Sequence, residues 1–111
     1  MPVAAISSLD EFHKLINSDT PAIIDFWATW CGPCRVISPI LEKLSDVAEF
    51  SGVKFFKVDV DEQEEISQEV GIRAMPTFVV FKNGEKIGEL VGANPGGLQE
   101  LVQKAANAST S

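Results

Sequence analysis

The first half of the chain alternates between short apolar runs and segments with helical spacing. Val3–Ile6 and the apolar run Ala22–Trp27 predict two strands, the second of them buried. Between them, Ser8 followed by Glu11 forms a capping-box pattern that predicts the start of a helix. Helical spacing resumes soon after the second strand and predicts a longer helix that ends near Phe50.

Proline, capping residues and glycine divide the next part of the chain. Pro39 lies inside the long helix and should kink it, since proline lacks the backbone N–H of a helical residue. Val53–Val60 is rich in β-branched and aromatic residues and predicts a central strand. Asp61 and Glu64 form a second capping pattern, which predicts a short helix that stops at Gly71.

The last third of the chain predicts a hairpin and a final helix. Thr77–Phe81 and Lys86–Val91 flank Asn83-Gly84, a dipeptide typical of a type I′ turn between antiparallel strands. Asn94 as cap and Pro95 in the first helical position predict the final helix. The whole order indicates an α/β domain with helices on both faces of a mixed sheet.

Composition and charge limit the possible functions. The chain has 111 residues, 45% hydrophobic and 23% charged, which is ordinary for one globular domain. We expect that domain to span residues 1–106, with a short flexible tail of small polar residues over 107–111. The net charge of −7 opposes binding to nucleic acid or an anionic membrane. Because we find no secretory signal, no transit peptide and no apolar run of about 20 residues, we expect a cytoplasmic protein.

The chain has two cysteines, both in Trp30–Cys34, between the buried strand and the long helix. At a helix N-terminus the backbone N–H groups are unpaired and the helix dipole is positive, and both effects favour the reactive thiolate. Cys31 is the predicted nucleophile because its sulfur can be exposed and held as an anion at the helix edge. Cys34 is predicted to resolve the mixed disulfide, and Gly32 and Pro33 to fix the turn that joins the two cysteines.

A structural role for the cysteines is the main alternative to a redox site. A bridge between Cys31 and Cys34 closes a loop of about four residues and stabilises the fold by only about 2 kcal/mol. A zinc site is disfavoured because two cysteines and the single His13 do not complete a set of four ligands. His13 is interpreted as a solvated helical residue, and we expect no bound metal.

The dithiol and its surroundings resemble the thioredoxin family over essentially the whole chain. A bare Cys-x-x-Cys is a weak signal, but the order and spacing of all the matching segments make this resemblance specific. Those segments are Asp25–Ala28, Trp30–Cys34, Lys57–Asp61, Gly71–Thr77, Lys82–Gly84 and Val91–Ala93. Arg35 is a departure, since many members carry lysine there, and we expect it to change little beyond partner preference.

The resemblance implies an α/β thioredoxin fold, in which four helices flank a central five-stranded mixed sheet and the Thr77 hairpin runs antiparallel to the central strands. It implies a protein-disulfide reductase, an electron carrier that maintains cell redox homeostasis by reversible dithiol/disulfide exchange. It also implies that no cofactor is bound and that reducing equivalents come from NADPH through a flavin-containing thioredoxin reductase. The expected substrates are disulfide-containing proteins such as peroxiredoxins, and the expected state is mostly monomeric.

Two charged residues are candidates for proton transfer. Asp25 stands inside an apolar run, where burial would raise its pKa and suit it to accept a proton, unless it lies at a solvated strand end. The resemblance implies that Asp25 accepts the proton of Cys34. Lys57 is predicted to lie beside Asp25 on the neighbouring strand and to tune it; the alternative is a surface lysine with a buried stem.

Residues distant in sequence are predicted to bind substrate around Cys31. Pro76 resembles the family's cis-proline, which faces the dithiol, although an ordinary trans turn is the alternative. Met75 would present its backbone N–H and C=O groups to an extended substrate, as in strand addition. Trp27 is expected to pack beneath the site. The residues predicted to form an apolar collar around Cys31 are Trp30, Val60, Met75, Gly92 and Ala93.

Two other functions compete with reduction of disulfides. An oxidase or isomerase of the same fold is disfavoured because Pro33 offers no side-chain proton donor to hold a thiolate. A protein that only binds partners through the apolar collar is the other alternative. The joint presence of both cysteines with Asp25 and Pro76 makes such binding a secondary role.

Overall fold

The computed structural model describes residues 3–109, and the elements follow nearly the predicted order. The strands are β1 (Ala4–Ala5), β2 (Ala22–Trp27), β3 (Lys54–Asp59), β4 (Thr77–Lys82) and β5 (Glu85–Val91). The helices are α1 (Leu9–Ile16), α2 (Gly32–Ser45), α3 (Glu64–Val70) and α4 (Pro95–Ala108), with a 3₁₀ turn at Ala48–Phe50. The predicted positions of Met1 and Pro2 in the domain, and of Thr110 and Ser111 in the tail, lie outside the described residues.

The five strands form one mixed sheet in the order β1-β3-β2-β4-β5. β3 pairs in parallel with both β1 and β2, whereas β4 pairs antiparallel with β2 and β5. In this register Lys57 of β3 and Phe78 of β4 lie on either side of Asp25 in β2. The predicted five-stranded mixed sheet, the four helices and the antiparallel direction of the hairpin are therefore confirmed.

Two layers of helices cover the sheet, and each layer has its own apolar core. The core beneath α1 and α3 contains Phe12, Ile16, Ile24, Phe26, Val58, Ile66 and Val79. The core beneath α2 and α4 contains Ile23, Ile37, Leu41, Phe55, Phe78, Val80, Leu98 and Val102. Since side chains alternate between the two faces along a strand, neighbouring residues of β2 belong to different cores.

Local capping and turn signals account for several element boundaries. The Ser8 hydroxyl caps α1 by accepting a hydrogen bond from the Glu11 N–H at 3.1 Å. The Asn94 side chain caps α4 in the same way, through the Gly97 N–H at 3.0 Å. Asn83-Gly84 has φ angles of 55° and 79°, the left-handed conformation that a type I′ hairpin turn requires. These three predictions are confirmed.

The long helix is shorter than predicted. α2 continues through Pro39 but ends at Ser45 rather than near Phe50. The backbone of Val47 is extended (φ −76°, ψ 126°), and the chain resumes as the 3₁₀ turn Ala48–Phe50. This break turns the chain so that the aromatic ring of Phe50 enters the core beneath α2 and α4. The kink at Pro39 stays a prediction.

The predicted cap of the short helix is wrong. α3 begins after Gln63, and no side chain caps its N-terminus within the described part of the chain. The turn before it is organised by Asp59, whose Oδ1 accepts hydrogen bonds from the backbone N–H groups of Asp61 (2.9 Å) and Glu62 (3.3 Å). The Asp61 carboxylate is therefore available for a different contact.

The last helix extends past the predicted end of the domain. α4 runs to Ala108, beyond the expected boundary at residue 106. The Ala108 carbonyl accepts a hydrogen bond from Lys82 Nζ at 2.7 Å, so the end of α4 is attached to β4. The division into a domain over 1–106 and a flexible tail over 107–111 stays a prediction.

Candidate redox-active site

The two cysteines lie where β2 ends and α2 begins. Cys31 is the N-cap of α2, and Gly32 and Pro33 are exposed residues that open the helix. A disulfide joins Cys31 to Cys34 over a Cα–Cα distance of 5.4 Å. Cys31 Sγ also accepts a hydrogen bond from the backbone N–H of Cys34 at 3.1 Å. This N–H is one of the groups that a helix N-terminus leaves free, so the same donor would stabilise a thiolate on Cys31.

Both sulfurs are more enclosed than the sequence indicated. Cys31 is 4% exposed and Cys34 is 1% exposed, so the expectation of an exposed sulfur at the helix edge is wrong for this disulfide form. Three side chains pack against the small cluster that Ala28 forms with the two cysteines: Trp27 from β2, Val60 after β3, and Met75 before β4. Trp27 packs beneath the site as predicted.

The segment before β4 lies beside the disulfide and carries backbone groups for binding. The Met75-Pro76 peptide bond is cis, as predicted, and Pro76 is buried. The Pro76 carbonyl accepts a hydrogen bond from the Gly92 N–H at 2.9 Å, which joins this segment to the end of β5. Gly92 has a φ of 106°, a conformation that favours glycine. Met75 makes no backbone hydrogen bond within residues 3–109, so its N–H and C=O groups are available to a substrate.

Trp30 has a partner that the sequence did not predict. Its side chain is 66% exposed, and its Nε1 donates a hydrogen bond to Asp61 Oδ2 at 2.9 Å. The bond joins the loop before α2 to the loop after β3, and so fixes the indole ring beside the dithiol. The sequence pattern around Asp61 indicates only a helix cap. The one signal for its contact with Trp30 is the parallel pairing of β2 with β3, which places the ends of the two strands side by side. Ala93 is likewise exposed.

Asp25 is a buried carboxyl group below the disulfide. It is 2% exposed, which excludes a solvated strand end. Burial raises the pKa of Asp25 from 3.8 to about 7, while a hydrogen bond from Ser38 and the positive charge of Lys57 act in the opposite direction. Lys57 is half-buried opposite Asp25 in the sheet, and its Nζ lies 6.0 Å from the centre of the Trp27 ring. The structure thus brings Lys57 and Asp25 together as predicted.

A cavity of about 550 Å³ joins Asp25 to the resolving cysteine. Its walls include Asp25, Cys34, Ser38 and Lys57. Within residues 3–109, neither Oδ1 of Asp25 nor Nε1 of Trp27 has a hydrogen-bond partner, although both atoms are buried. Ser38 is the residue of this group that sequence reasoning missed. Its spacing of four residues from Cys34 in a helix was the available signal.

The remaining candidates have structural contacts. An Arg35 guanidinium nitrogen donates to the Thr29 carbonyl at 2.9 Å, which joins α2 to the loop before it. His13 Nε2 lies 2.8 Å from Glu69 Oε2, and the pair links α1 to α3 at the surface. Among the residues that the structure describes, no group of three or more His, Cys, Asp or Glu side chains is arranged to hold a metal ion. None of the helices in residues 3–109 is long and apolar enough to cross a membrane.

Comparison with known proteins gives consistent matches over nearly the full chain. The sequence model of the Thioredoxin family matches residues 3–104. The chain is 63% identical over 103 residues to a thioredoxin of Coprinus comatus, covering 93% of this chain and 97% of that protein. It is 58% identical over 100 residues to a thioredoxin of Malassezia sympodialis, covering 90% and 95%.

Solved structures give the same result. A Malassezia sympodialis thioredoxin (Mala s 13) superposes with a TM-score of 0.91 at 56% identity, covering 94% of this chain and 90% of that one. A second structure comes from work on the thiol resolving mechanism of yeast mitochondrial 1-Cys peroxiredoxin via glutathione/thioredoxin systems. It superposes with a TM-score of 0.84 at 41% identity, covering 92% of this chain and 94% of that one.

Proposed function

Because this chain belongs to the thioredoxin family, we propose that Cys31 attacks the disulfide of a substrate protein and that Cys34 resolves the resulting mixed disulfide. The chain is a thiol-disulfide oxidoreductase that reduces protein disulfides through Cys31 and Cys34 and maintains cell redox homeostasis. The observation that carries the assignment of roles is the asymmetry of the two cysteines. Cys31 is the N-cap of α2 and is not among the residues that line the cavity of Asp25, whereas Cys34 lines that cavity.

The reaction proceeds in two exchanges. The Cys31 thiolate attacks one sulfur of the substrate disulfide, and the other substrate sulfur leaves as a thiolate. Cys34 then loses its proton and attacks Cys31 Sγ, which breaks the mixed disulfide and releases the second substrate thiolate. Two electrons have passed from the protein dithiol to the substrate disulfide, and Cys31 and Cys34 are left joined.

Asp25 accepts the proton that Cys34 loses in the second exchange. A carboxyl group with a pKa of about 7 is divided between its two protonation states near neutral pH, and can therefore both take and return a proton. Its place on the wall of the cavity that also contains Cys34 supports this role. Lys57 tunes Asp25 through its positive charge, and Gly32 and Pro33 set the spacing of the cysteines.

Substrate binding uses the apolar collar and the cis-proline segment. An extended substrate chain pairs with the free N–H and C=O groups of Met75, next to Pro76, in the manner of an added strand. Its side chains contact the collar residues Trp30, Val60, Met75, Gly92 and Ala93. The exposed indole of Trp30 offers the largest apolar contact.

The electron source and the partners follow from family membership. Reducing equivalents come from NADPH through a flavin-containing thioredoxin reductase, and the protein works in the cytoplasm as a mostly monomeric carrier. Peroxiredoxins are among its substrates, a proposal supported by the related structure studied with a yeast mitochondrial 1-Cys peroxiredoxin. Reconstitution with NADPH, a thioredoxin reductase, a peroxiredoxin and hydrogen peroxide should consume NADPH, and the absence of NADPH consumption would contradict this proposal.

The assignment of the two cysteines is tested by comparing Cys31→Ser with Cys34→Ser. With dithiothreitol as the reductant, Cys31→Ser should not accelerate the reduction of insulin disulfides. Cys34→Ser should instead form a lasting mixed disulfide with a substrate peptide, which mass spectrometry of proteolytic fragments would locate on Cys31. If Cys31→Ser stays active, or if Cys31→Ser traps the substrate peptide on Cys34, the two roles are reversed or the mechanism is wrong.

A further inference from the structure

Ser38 of α2 lies one helical turn beyond the resolving cysteine and lines the same cavity as the buried carboxyl group of Asp25. It lies four residues after Cys34 in α2, so the two side chains extend from the same side of the helix. Ser38 is partly buried, and it shares the wall of the 550 Å³ cavity with Cys34 and Asp25. The three side chains therefore line one cavity.

The Asp25 carboxyl group needs hydrogen-bond donors when it is ionised, because water does not surround it. Its Oδ1 is buried without a partner in the part of the chain that the structure describes. Ser38, on the wall of the same cavity, lowers the pKa of this carboxyl group through side-chain hydrogen bonding. A hydroxyl group bonds more strongly to a carboxylate than to a neutral acid, so this contact favours the ionised form.

The other polar groups around Asp25 act differently. Lys57 lies opposite Asp25 on β3 and acts on it through its positive charge. Among the described residues, no hydrogen bond joins the two side chains. Arg35 and Glu42 of α2 line the same cavity, and Arg35 donates to the Thr29 carbonyl. On β4, the residue opposite Asp25 is Phe78, which does not titrate.

We propose that Ser38 is a positioning residue for the disulfide exchange, whose hydroxyl group holds the Asp25 carboxylate ionised and ready to accept the proton of Cys34. This inference rests on the proposed role of Asp25 as proton acceptor. The proton moves from Cys34 Sγ to the Asp25 carboxylate as Cys34 attacks Cys31, and Ser38 keeps its own proton throughout. Removing the hydroxyl group leaves fewer molecules competent for this step near neutral pH.

The direct test is the titration of Asp25 in Ser38→Ala. Protein labelled with ¹³C at the aspartate carboxyl carbon is titrated by NMR in the oxidised form, where the cysteines do not titrate, and Asp25→Asn identifies the signal. The midpoint should rise by about one pH unit in Ser38→Ala, as expected for the loss of a hydrogen bond to a charged group. Ser38→Thr, which keeps the hydroxyl, should stay near the unsubstituted value.

Ser45→Ala is the matched control for a serine lost from the same helix. Its hydroxyl bonds to the Glu42 carbonyl rather than to Asp25, so the midpoint of Asp25 should not move. An unchanged midpoint in Ser38→Ala, or an equal rise in Ser45→Ala, would overturn the inference. Because this readout follows Asp25 itself, it decides the effect of Ser38 whatever group accepts the Cys34 proton.

A kinetic measurement connects the titration to the reaction. Reduced protein is mixed with an aromatic disulfide that forms a mixed disulfide with Cys31, and release of the second aromatic thiol reports the attack by Cys34. At pH 7 the attack should be roughly fivefold slower in Ser38→Ala, and the difference should vanish at high pH, where Asp25 is ionised in both proteins. A pH profile for Asp25→Asn identical to that of the unsubstituted protein would instead contradict the proposed function, since Asp25 would not accept the proton.

Discussion

The two faces of β2 differ in chemistry although they belong to the same six residues. Ile24 and Phe26 point into the core beneath α1 and α3, where apolar side chains such as Phe12 surround them. Ile23 points into the other core, but Asp25, two residues further along the same face, places a carboxyl group below the disulfide. Ile24 and Phe26 on one face therefore stabilise the fold, whereas the buried Asp25 on the other face destabilises it and titrates near neutral pH.

The redox site lowers the stability of the fold at Asp25. Burying an ionised carboxylate without full hydrogen bonding is unfavourable, and burial therefore raises the pKa of Asp25. The unpartnered Nε1 of Trp27 belongs to the same neighbourhood in residues 3–109. Buried side-chain polar atoms without partners are thus confined to the surroundings of the dithiol, among the atoms described.

Removing an aromatic ring from the apolar face should have the largest effect on stability. Phe26 is completely buried beneath α1 and α3, and Phe26→Ala should lower the free energy of unfolding by about 3–5 kcal/mol. Urea unfolding of the oxidised protein measures the loss. Because no titrating group is involved, the loss should be the same at pH 5 and pH 9. A loss that depends strongly on pH would show that this face is coupled to Asp25.

Asp25→Asn should increase stability, and only at high pH. The folded protein holds the Asp25 proton up to a pKa of about 7, whereas the unfolded chain releases it near its ordinary 3.8. Stability from this group is therefore complete below about pH 4 and is lost as the pH rises to 7. The variant should be more stable by up to about 4 kcal/mol above pH 8, and similar to the unsubstituted protein at pH 4.

Urea unfolding at pH 4 and pH 9 tests this sign. An equal change in the free energy of unfolding at both pH values would mean that the substitution acts through packing rather than through the buried charge. The same variant should reduce insulin more slowly near neutral pH. Greater stability of Asp25→Asn at high pH would be the opposite of the change expected for Phe26→Ala.

Asp61→Asn should weaken substrate binding at the rim of the redox site. The substitution removes the charged acceptor of the Trp30 indole N–H, and the ring loses part of its fixed orientation. We expect a roughly two- to fivefold higher KM for insulin, with little change in kcat. Glu62→Gln is the matched control because it removes the same charge from the adjacent residue. An equal rise in KM in both variants would assign the effect to charge rather than to Trp30.

Removing the surface pair of His13 and Glu69 should have the smallest effect on stability. His13 and Glu69 are both partly exposed, and exposed pairs contribute little. Glu69→Gln should change the free energy of unfolding by less than about 0.5 kcal/mol and leave insulin reduction unchanged. Thermal unfolding at low and high salt checks this. A loss comparable to that of Phe26→Ala would mean that the link between α1 and α3 supports the whole layer.

Short-range signals made much of the fold predictable from the sequence. The cap at Ser8, the cap at Asn94 and the Asn83-Gly84 turn each depend on residues only a few positions apart, and all three are found. The end of α2 was not predictable in the same way, because it depends on how Phe50 reaches the core. Antiparallel pairing of β4 with β2 came from the family resemblance rather than from the pattern.

The site was predictable where its residues carry a local signature. The dithiol and the buried Asp25 were found in this way, since each stands out in its own segment, whereas the cis-proline before β4 came from the family resemblance. The contact between Trp30 and Asp61 was missed because it joins residues 31 positions apart across two strands. Enclosure of the sulfurs was missed for the same reason, because Met75 and Val60 reach them from distant segments.

The path of α4 determines where the protein tolerates an attachment. α4 starts next to the collar but finishes at the other end of the sheet, where Ser109 shares a pocket with Pro21 and Lys54 at the beginnings of β2 and β3. The six residues of β2 separate that end from the dithiol by about 20 Å. A linker fused behind the helix would therefore anchor the molecule to a bead or an electrode with the redox site at the end away from the attachment.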